Sequence, residues 1–267
     1  MMDHPTFKRE NHDRVQAVEN LFHHTGKSLC KPGRILIGEG VLVKQGRKKM
    51  QKKVFFLFND ILVYGSIVVN GRWYNKQKII PLEDIKLEDI EDSEVYKHQW
   101  LIRTPSKSFF VSAPSNKDKQ AWMEHIGEFQ SSLTTSSNHK PNKKFAVSWL
   151  PDHVACKCMR CLSTKFGGAN RRHHCRNCGF LVCNSCSKQC IVINHIHPTK
   201  ALRVCSFCYK KIKEENSRQR GDSTGRSSSE EEELAPSGDE MEEPEIGIYS
   251  PSSWLDTKNG TWGRMSI

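Results

Sequence analysis

Apolar residues are scarce in this chain of 267 residues. The hydrophobic set makes up 36% of it and charged residues 27%. The mean hydropathy is −0.63. A single large core needs more to bury, so the composition predicts small domains joined by solvated chain. Long apolar runs are missing too. The most apolar stretch, residues 54–69, is broken by Asn59 and Asp60. It is short for a bilayer span and carries a costly carboxylate. The opening Met1-Met2-Asp3-His4-Pro5 lacks the charged-then-apolar pattern of a secretory signal. A soluble, cytosolic chain is the expectation. No catalytic constellation stands out, and no enzymatic activity is expected.

Negative charge is also in deficit, except in one region. The formal net charge is +11, from 41 Lys and Arg against 30 Asp and Glu. Residues 217–267 hold eleven acidic residues and five basic ones, so the remainder is more basic than the total suggests. A basic body with an acidic tail points to an anionic partner, nucleic acid or a membrane surface.

Hydrophobic periodicity divides the chain. Val15, Val18, Leu21 and Phe22 predict a short docking helix from about Asp13 to His23, before Gly26 and Pro32-Gly33. From 34 to 115, β-branched and aromatic runs alternate with turn signals such as Asn59-Asp60, Asn70-Gly71 and Pro105-Ser106. That spacing predicts an antiparallel sandwich or barrel. A helix should follow, capped by Ser115 or Asn116, with Trp122, Ile126, Phe129 and Leu133 on its apolar face. It would plug the open end of the curled sheet, with Trp122 as buried anchor. Residues 134–147 read as a linker. Residues 213–267, rich in Ser, Glu and Pro, read as a disordered acidic tail. Trp254 and Trp262 within it suggest a short linear docking motif.

Eleven cysteines in a reducing compartment read as metal ligands before disulfides. Four C-x-x-C pairs occur between 158 and 208: Cys158/Cys161, Cys175/Cys178, Cys183/Cys186 and Cys205/Cys208. Each pair can chelate one tetrahedral ion within a tight turn, so two pairs complete a Cys₄ zinc site. Eight ligands imply two structural Zn²⁺ ions, and spacing alone leaves open which pairs share one. Cys30, Cys156 and Cys190 are left over. Closed sites of this kind hold a fold and do no chemistry.

Inside this framework lie Trp149-Leu150-Pro151-Asp152, Arg171-Arg172-His173-His174-Cys175-Arg176 and Arg203-Val204-Cys205. The set resembles the FYVE zinc finger, whose signatures are WxxD, R(R/K)HHCR and RVC. The resemblance implies interleaved pairing. Cys158, Cys161, Cys183 and Cys186 would hold one ion, and Cys175, Cys178, Cys205 and Cys208 the other. It also implies phosphatidylinositol 3-phosphate as ligand, and residues 149–211 carry eleven basic residues against one acidic, Asp152. By resemblance Arg176 and Arg203 grip the 3-phosphate, Arg171 reaches the 1-phosphate and Arg172 assists. His174 and Asp152 bond inositol hydroxyls, and His173 completes the set. The loop before Arg171 is Phe166-Gly167-Gly168-Ala169-Asn170, where FYVE fingers usually carry larger apolar residues that wedge into the bilayer.

Residues 35–133 resemble a pleckstrin homology (PH) domain. PH domains that bind phosphoinositides typically place a Lys on the first strand and K-x-R near the second. Lys44 fits the first position, Gln51-Lys52-Lys53 departs from the second, and Lys49 and Lys53 complete the candidate lipid contacts. The tandem, with strings such as Pro32-Gly33-Arg34 and Phe55-Phe56-Leu57-Phe58-Asn59-Asp60-Ile61-Leu62-Val63-Tyr64-Gly65, resembles the phafin family.

The expected fold is α+β and multidomain. An N-terminal segment with a short helix covers 1–33. A PH-type antiparallel β-sandwich or barrel, capped by its C-terminal helix, covers 34–133. A small two-zinc FYVE finger spans 148–212, ahead of the tail. The implied function is a phosphatidylinositol 3-phosphate-binding adaptor, peripheral on early endosome and lysosome membranes. It would serve endosomal trafficking and autophagy through partner proteins, with further phosphoinositides on the PH domain. A zinc-finger ubiquitin ligase and a nucleic-acid-binding protein are the alternatives. The first lacks the C-x-H-x-x-C pattern of RING domains. The second lacks a zinc-finger helix with His ligands, and no nucleic acid is expected.

Overall fold

The computed structural model describes residues 5–22, 26–69, 72–136, 144–219 and 252–264. The main sheet begins with β1 (Leu36–Gln45), β2 (Met50–Phe58), β3 (Ile61–Val69) and β4 (Trp73–Pro81). It continues with β5 (Lys86–Asp89), β6 (Gln99–Arg103) and β7 (Phe109–Ser112). Neighbours run in the order β4-β3-β2-β1-β7-β6-β5, all antiparallel. Helix α2 (Asn116–Ser136) packs across the sheet. Ser115 caps it, its Oγ accepting from the Asp118 N–H at 3.1 Å and donating to the Asp118 carboxylate at 2.8 Å. Trp122 and Ile126 are buried in the barrel core with Leu42, Phe55, Leu57, Leu62, Trp100 and Val111.

The sheet is buried on both faces where β2 runs. Phe55 and Leu57 point into the barrel, while Val54, Phe56 and Phe58 face outward into a second core. That outer core is roofed by α1 (Pro5–Leu21), whose Val15 and Val18 join Phe22 and Leu29 over β1–β4. The N-terminal helix is thus a docking helix, longer than its periodicity predicts because residues 5–12 carry only one apolar anchor, Phe7. Its entry to the sheet is fixed by Arg34. The Arg34 guanidinium forks onto the Asp60 carboxylate at 2.8 and 2.6 Å and donates to the Leu29 carbonyl at 2.7 Å.

The finger is held by short elements: β8 (His173–His174) with β9 (Leu181–Val182), and β10 (Cys190–Val192) with β11 (Ala201–Arg203). Helix α3 (Ser206–Gln219) closes it. Its core consists largely of the cysteines themselves, with Val182, Ile193 and Val204.

The region expected to be a disordered tail differs at both ends. Helix α3 reaches Gln219, and β12 (Ser253–Asp256) with β13 (Thr261–Arg264) forms a hairpin whose first strand pairs with β1. Most of the acidic run lies in 220–251, outside the described residues. The Glu- and Ser-rich window hides two tryptophans that find partners inside the fold. Trp254 packs edge-on against Trp122 at 4.7 Å, and the Trp122 indole N–H donates to Ser252 Oγ at 3.1 Å. Trp262 stacks on Phe7 at 5.3 Å and donates to the Leu36 carbonyl at 2.9 Å. The suggested linear docking motif is therefore already docked, in the same chain. Gly38 is a glycine because a Cβ there would collide with the Trp254 ring. Gly38-Glu39-Gly40 makes room for the hairpin.

Replacing Trp254 with Ala should cost about 3 kcal/mol, the cost of emptying a buried aromatic site. The measurement is a lower urea midpoint of the PH-domain transition at unchanged slope. Removing residues 252–267 should cost at least as much. An unaltered midpoint in both variants would make the hairpin a passenger.

Candidate functional site

Two groups of four cysteines come together in the finger. Cys158, Cys161, Cys183 and Cys186 form one, and Cys175, Cys178, Cys205 and Cys208 the other, with the sulfurs of each group all within 4.8 Å of one another. This is the interleaved pairing that the resemblance implies. Four thiolates at that spacing suit tetrahedral zinc, whose Zn–S bonds of about 2.3 Å need little further contraction. The backbone is already arranged for thiolates. The Cys183 N–H donates to Cys158 Sγ at 3.3 Å, and the Cys205 N–H to Cys175 Sγ at 3.2 Å. The chain thus provides two Cys₄ sites for structural Zn²⁺. Cys30, Cys156 and Cys190 are exposed and stand outside both.

Arg160 ties the two sites together, and its sequence position gives no hint of it. It sits between the ligands Cys158 and Cys161 of the first group. Yet its guanidinium donates to Cys205 Sγ at 3.2 Å and Cys178 Sγ at 3.5 Å in the second. The rings of Phe180 and Phe207 lie 4.8 and 4.7 Å from its guanidinium carbon. A cation there offsets part of the charge of four thiolates.

Most of the basic signature is brought together around β8. His173 and His174 lie on β8, Arg176 follows it, and Arg203 ends β11. The Arg176 N–H bonds the Arg203 carbonyl at 3.0 Å, which locks the two arginines side by side. Arg203 also donates to Asn184 Oδ1 and the Ser187 carbonyl, at 3.1 and 2.9 Å. His173 lies below the usual imidazole range, through burial first and then the charges of Arg203 and Arg171. Arg171 itself is exposed. Arg172 lies 5.0 Å over the Phe166 ring, and its Nε is buried with no hydrogen-bond partner.

Trp149 and Asp152 form the other wall. Trp149 stacks on His174 at 5.0 Å, and the Arg176 guanidinium lies 4.0 Å over its ring. His174 Nε2 is bonded to the Leu150 carbonyl at 2.8 Å, and burial chiefly pulls its pKa below the usual range. Asp152 Oδ2 pairs with Arg47 at 3.4 Å. Asp152 Oδ1 is buried without a hydrogen bond, at 3.7 Å from His174 Nε2. An acceptor aimed inward with no donor, beside a cluster of cations, is a place for a polyol bearing phosphate.

The PH domain contributes its own basic mouth, which abuts the finger. Lys44 is buried, with its ammonium 4.4 Å over the Phe109 ring. Burial, then the charges of Lys107 and Lys53, push its pKa down to about 7. Lys53 donates to Ser66 Oγ at 2.7 Å, and Lys49 is exposed on the β1–β2 loop. The linker ends docked, because the Ala146 N–H meets the Thr104 carbonyl at 3.0 Å and Ser108 Oγ donates to the Ala146 carbonyl. Beyond it, Lys107 lies 5.0 Å over Trp149, and the Asp152 N–H bonds the Arg47 carbonyl at 3.0 Å. The composition of 134–147 hides this contact, which needs only Ala146 to be inserted.

A PH barrel joined to a two-zinc FYVE finger defines the class of this protein. The family model for the FYVE zinc finger matches residues 148–214, and that for the PH domain matches 36–131. The chain is 45% identical over 219 residues to pleckstrin homology domain-containing family F member 1 of Rattus norvegicus, covering 82% of this chain and 78% of the relative. It is 46% identical over 212 residues to family F member 2 of Danio rerio, covering 79% of this chain and 85% of the relative. The chain belongs to this family, the phafins.

Metal analysis of the purified full chain should return two zinc ions. Replacing Arg160 with Ala should leave that number unchanged but speed zinc transfer to a chelator by about tenfold, the usual effect of losing an outer-shell partner. An unchanged transfer rate would remove Arg160 from the metal sites' support.

Proposed function

We propose that this protein is a phosphatidylinositol 3-phosphate-binding adaptor, recruited through its FYVE finger to early endosome membranes. One observation carries the reading. Arg171 and Arg203 flank His173, Arg176 and Asp152 flank His174, and both the inner oxygen of Asp152 and Arg172 Nε are buried without hydrogen-bond partners. Guanidinium forks match phosphate oxygens, and a lone carboxylate accepts from ring hydroxyls while repelling further phosphates. Membership of the phafin family supports the endosomal and lysosomal setting, with roles in trafficking and autophagy through protein partners. No helix among the described residues is long and apolar enough to cross a membrane, which agrees with peripheral attachment.

Calorimetry of the zinc-loaded full chain with soluble inositol 1,3-bisphosphate tests this. Saturable binding is expected, with a loss of at least about tenfold when Arg176 and Arg203 are both Ala. The same double variant should leave endosomes in cells. No saturation by the unsubstituted chain would falsify the headgroup assignment.

The PH mouth supports a second inositide contact, because Lys44 is held partly uncharged by burial and by the charges of Lys107 and Lys53, with no carboxylate among the groups that shift it. Between its pKa of about 7 and the ordinary 10.5, the unfolded chain binds a proton that the folded chain lacks. Stability relative to Lys44→Met should therefore rise with pH through that window. An anion in the mouth restores the charged ammonium. At pH 8, binding of a soluble inositol phosphate should then take up protons, read from calorimetry in buffers of different ionisation enthalpy. Lys44→Met should abolish the uptake. Equal uptake in both proteins would exclude Lys44 from the site.

A further inference from the structure

The strand order puts four features at one end of the PH barrel. Strand β1 ends at Gln45 and returns as β2 through Gly46–Lys49, where the Gly46 N–H bonds the Lys49 carbonyl at 3.0 Å. Strands β2 and β3 are antiparallel neighbours, so the β3–β4 hairpin turns at that same end. Lys44 pairs with Val111, which brings the turn before β7 there as well. The finger docks at this end too, through Arg47–Asp152 and Lys107–Trp149.

The β3–β4 hairpin is unusual for a solvated edge. Val68, Val69 and Trp73 are 39, 46 and 44% exposed. Val69 and Trp73 face each other across the last rung of the ladder. Arg72 beside them is exposed, as are Arg47, Lys48 and Lys49 on the adjacent loop. An apolar knuckle bordered by cations, level with a headgroup site, fits one surface chemistry: the interface of an anionic phospholipid bilayer. Tryptophan favours that depth, and basic residues favour that charge. In the finger, the loop before Arg171 carries no such knuckle, and the exposed Val154, Leu162 and Phe207 lie on other segments. Phe166 packs against the finger core under Arg172, and Gly167 and Gly168 stand in open space.

We propose that Val68, Val69 and Trp73 form the membrane-inserting wedge of this protein, supplied by the PH domain to a finger whose own loop lacks one. The inference rests on the reading that the finger holds a membrane headgroup. It adds that the apolar half of the attachment lies on the other domain. Insertion then aligns the barrel mouth and the finger's arginines on one bilayer.

The test uses the full chain and two kinds of vesicle, phosphatidylcholine with phosphatidylserine, with and without phosphatidylinositol 3-phosphate. Trp73→Lys adds a positive charge, so a purely electrostatic surface would bind both vesicles more tightly. The wedge requires the opposite, a partition at least fivefold weaker on both. Quenching of tryptophan fluorescence by brominated lipid should also be lost. Val68→Thr with Val69→Thr, which keeps branched side chains in the strand, should weaken partition in the same direction. Soluble inositol 1,3-bisphosphate should bind each variant as it binds the unsubstituted chain, which shows the fold intact. Partition equal to or tighter than that of the unsubstituted chain, in both variants, overturns the proposal. Failure of the soluble headgroup to bind the unsubstituted chain counts against the headgroup reading alone, since vesicles lacking phosphoinositide still judge the wedge.

Discussion

Like charges crowded into one small space are the constraint that this structure has to meet. Arg176 feels the charge of Arg203 beside it and of Lys107 from the next domain, and Lys107 in turn that of Lys44. In an ordinary 60-residue unit the repulsion would compete with a meagre apolar core. Here the core is largely sulfur, and the same cysteines that fill it carry the compensating negative charge when they bind zinc. Arg160 shows the logic in miniature, a cation from one knuckle placed among the thiolates of the other. The fold and the anion site thus have a common cause. Whatever loosens the metal cages also releases the arginines.

The PH domain meets a different demand. Its sheet is buried on both faces, by the barrel core within and by α1 outside. That explains why β2 reads as an unbroken apolar run rather than an alternating one. The C-terminal hairpin joins the same sheet, pairing with β1 at Gly38 and Glu39, next to the point where the β1–β2 register shifts. The barrel therefore draws on residues near both ends of the sequence, and its mouth stays free for the finger.

Spacing made much of this legible. Four C-x-x-C pairs announce two zinc sites in the sequence itself, because chelation by a tight turn is a local property. The basic signature was legible for the same reason, being one short run plus Arg203. The capping of α2 by Ser115 and the burial of Trp122 followed from local pattern. What stayed hidden was non-local. Nothing in the window around Trp254 or Trp262 reveals that Gly38 leaves a slot for one and Phe7 a ring for the other. The tail as a whole, 213–267, is rich in glutamate and serine, and its composition averages over the residues that matter. Arg160 was equally opaque, since its partners are 18 and 45 positions away. The contact of Ala146 with Thr104 and Ser108 turns part of a polar connector into an interface, and no periodicity marks it.

The docked hairpin alters how the finger is attached. The chain leaves the barrel after α2, builds the finger, and returns to the barrel at Ser252. The finger is thus strung between two anchor points, like a bead on a closed cord. A protease that cuts one strand of that cord leaves the two halves joined by the other. Separating finger from barrel by nicking would take two cuts, one on each side.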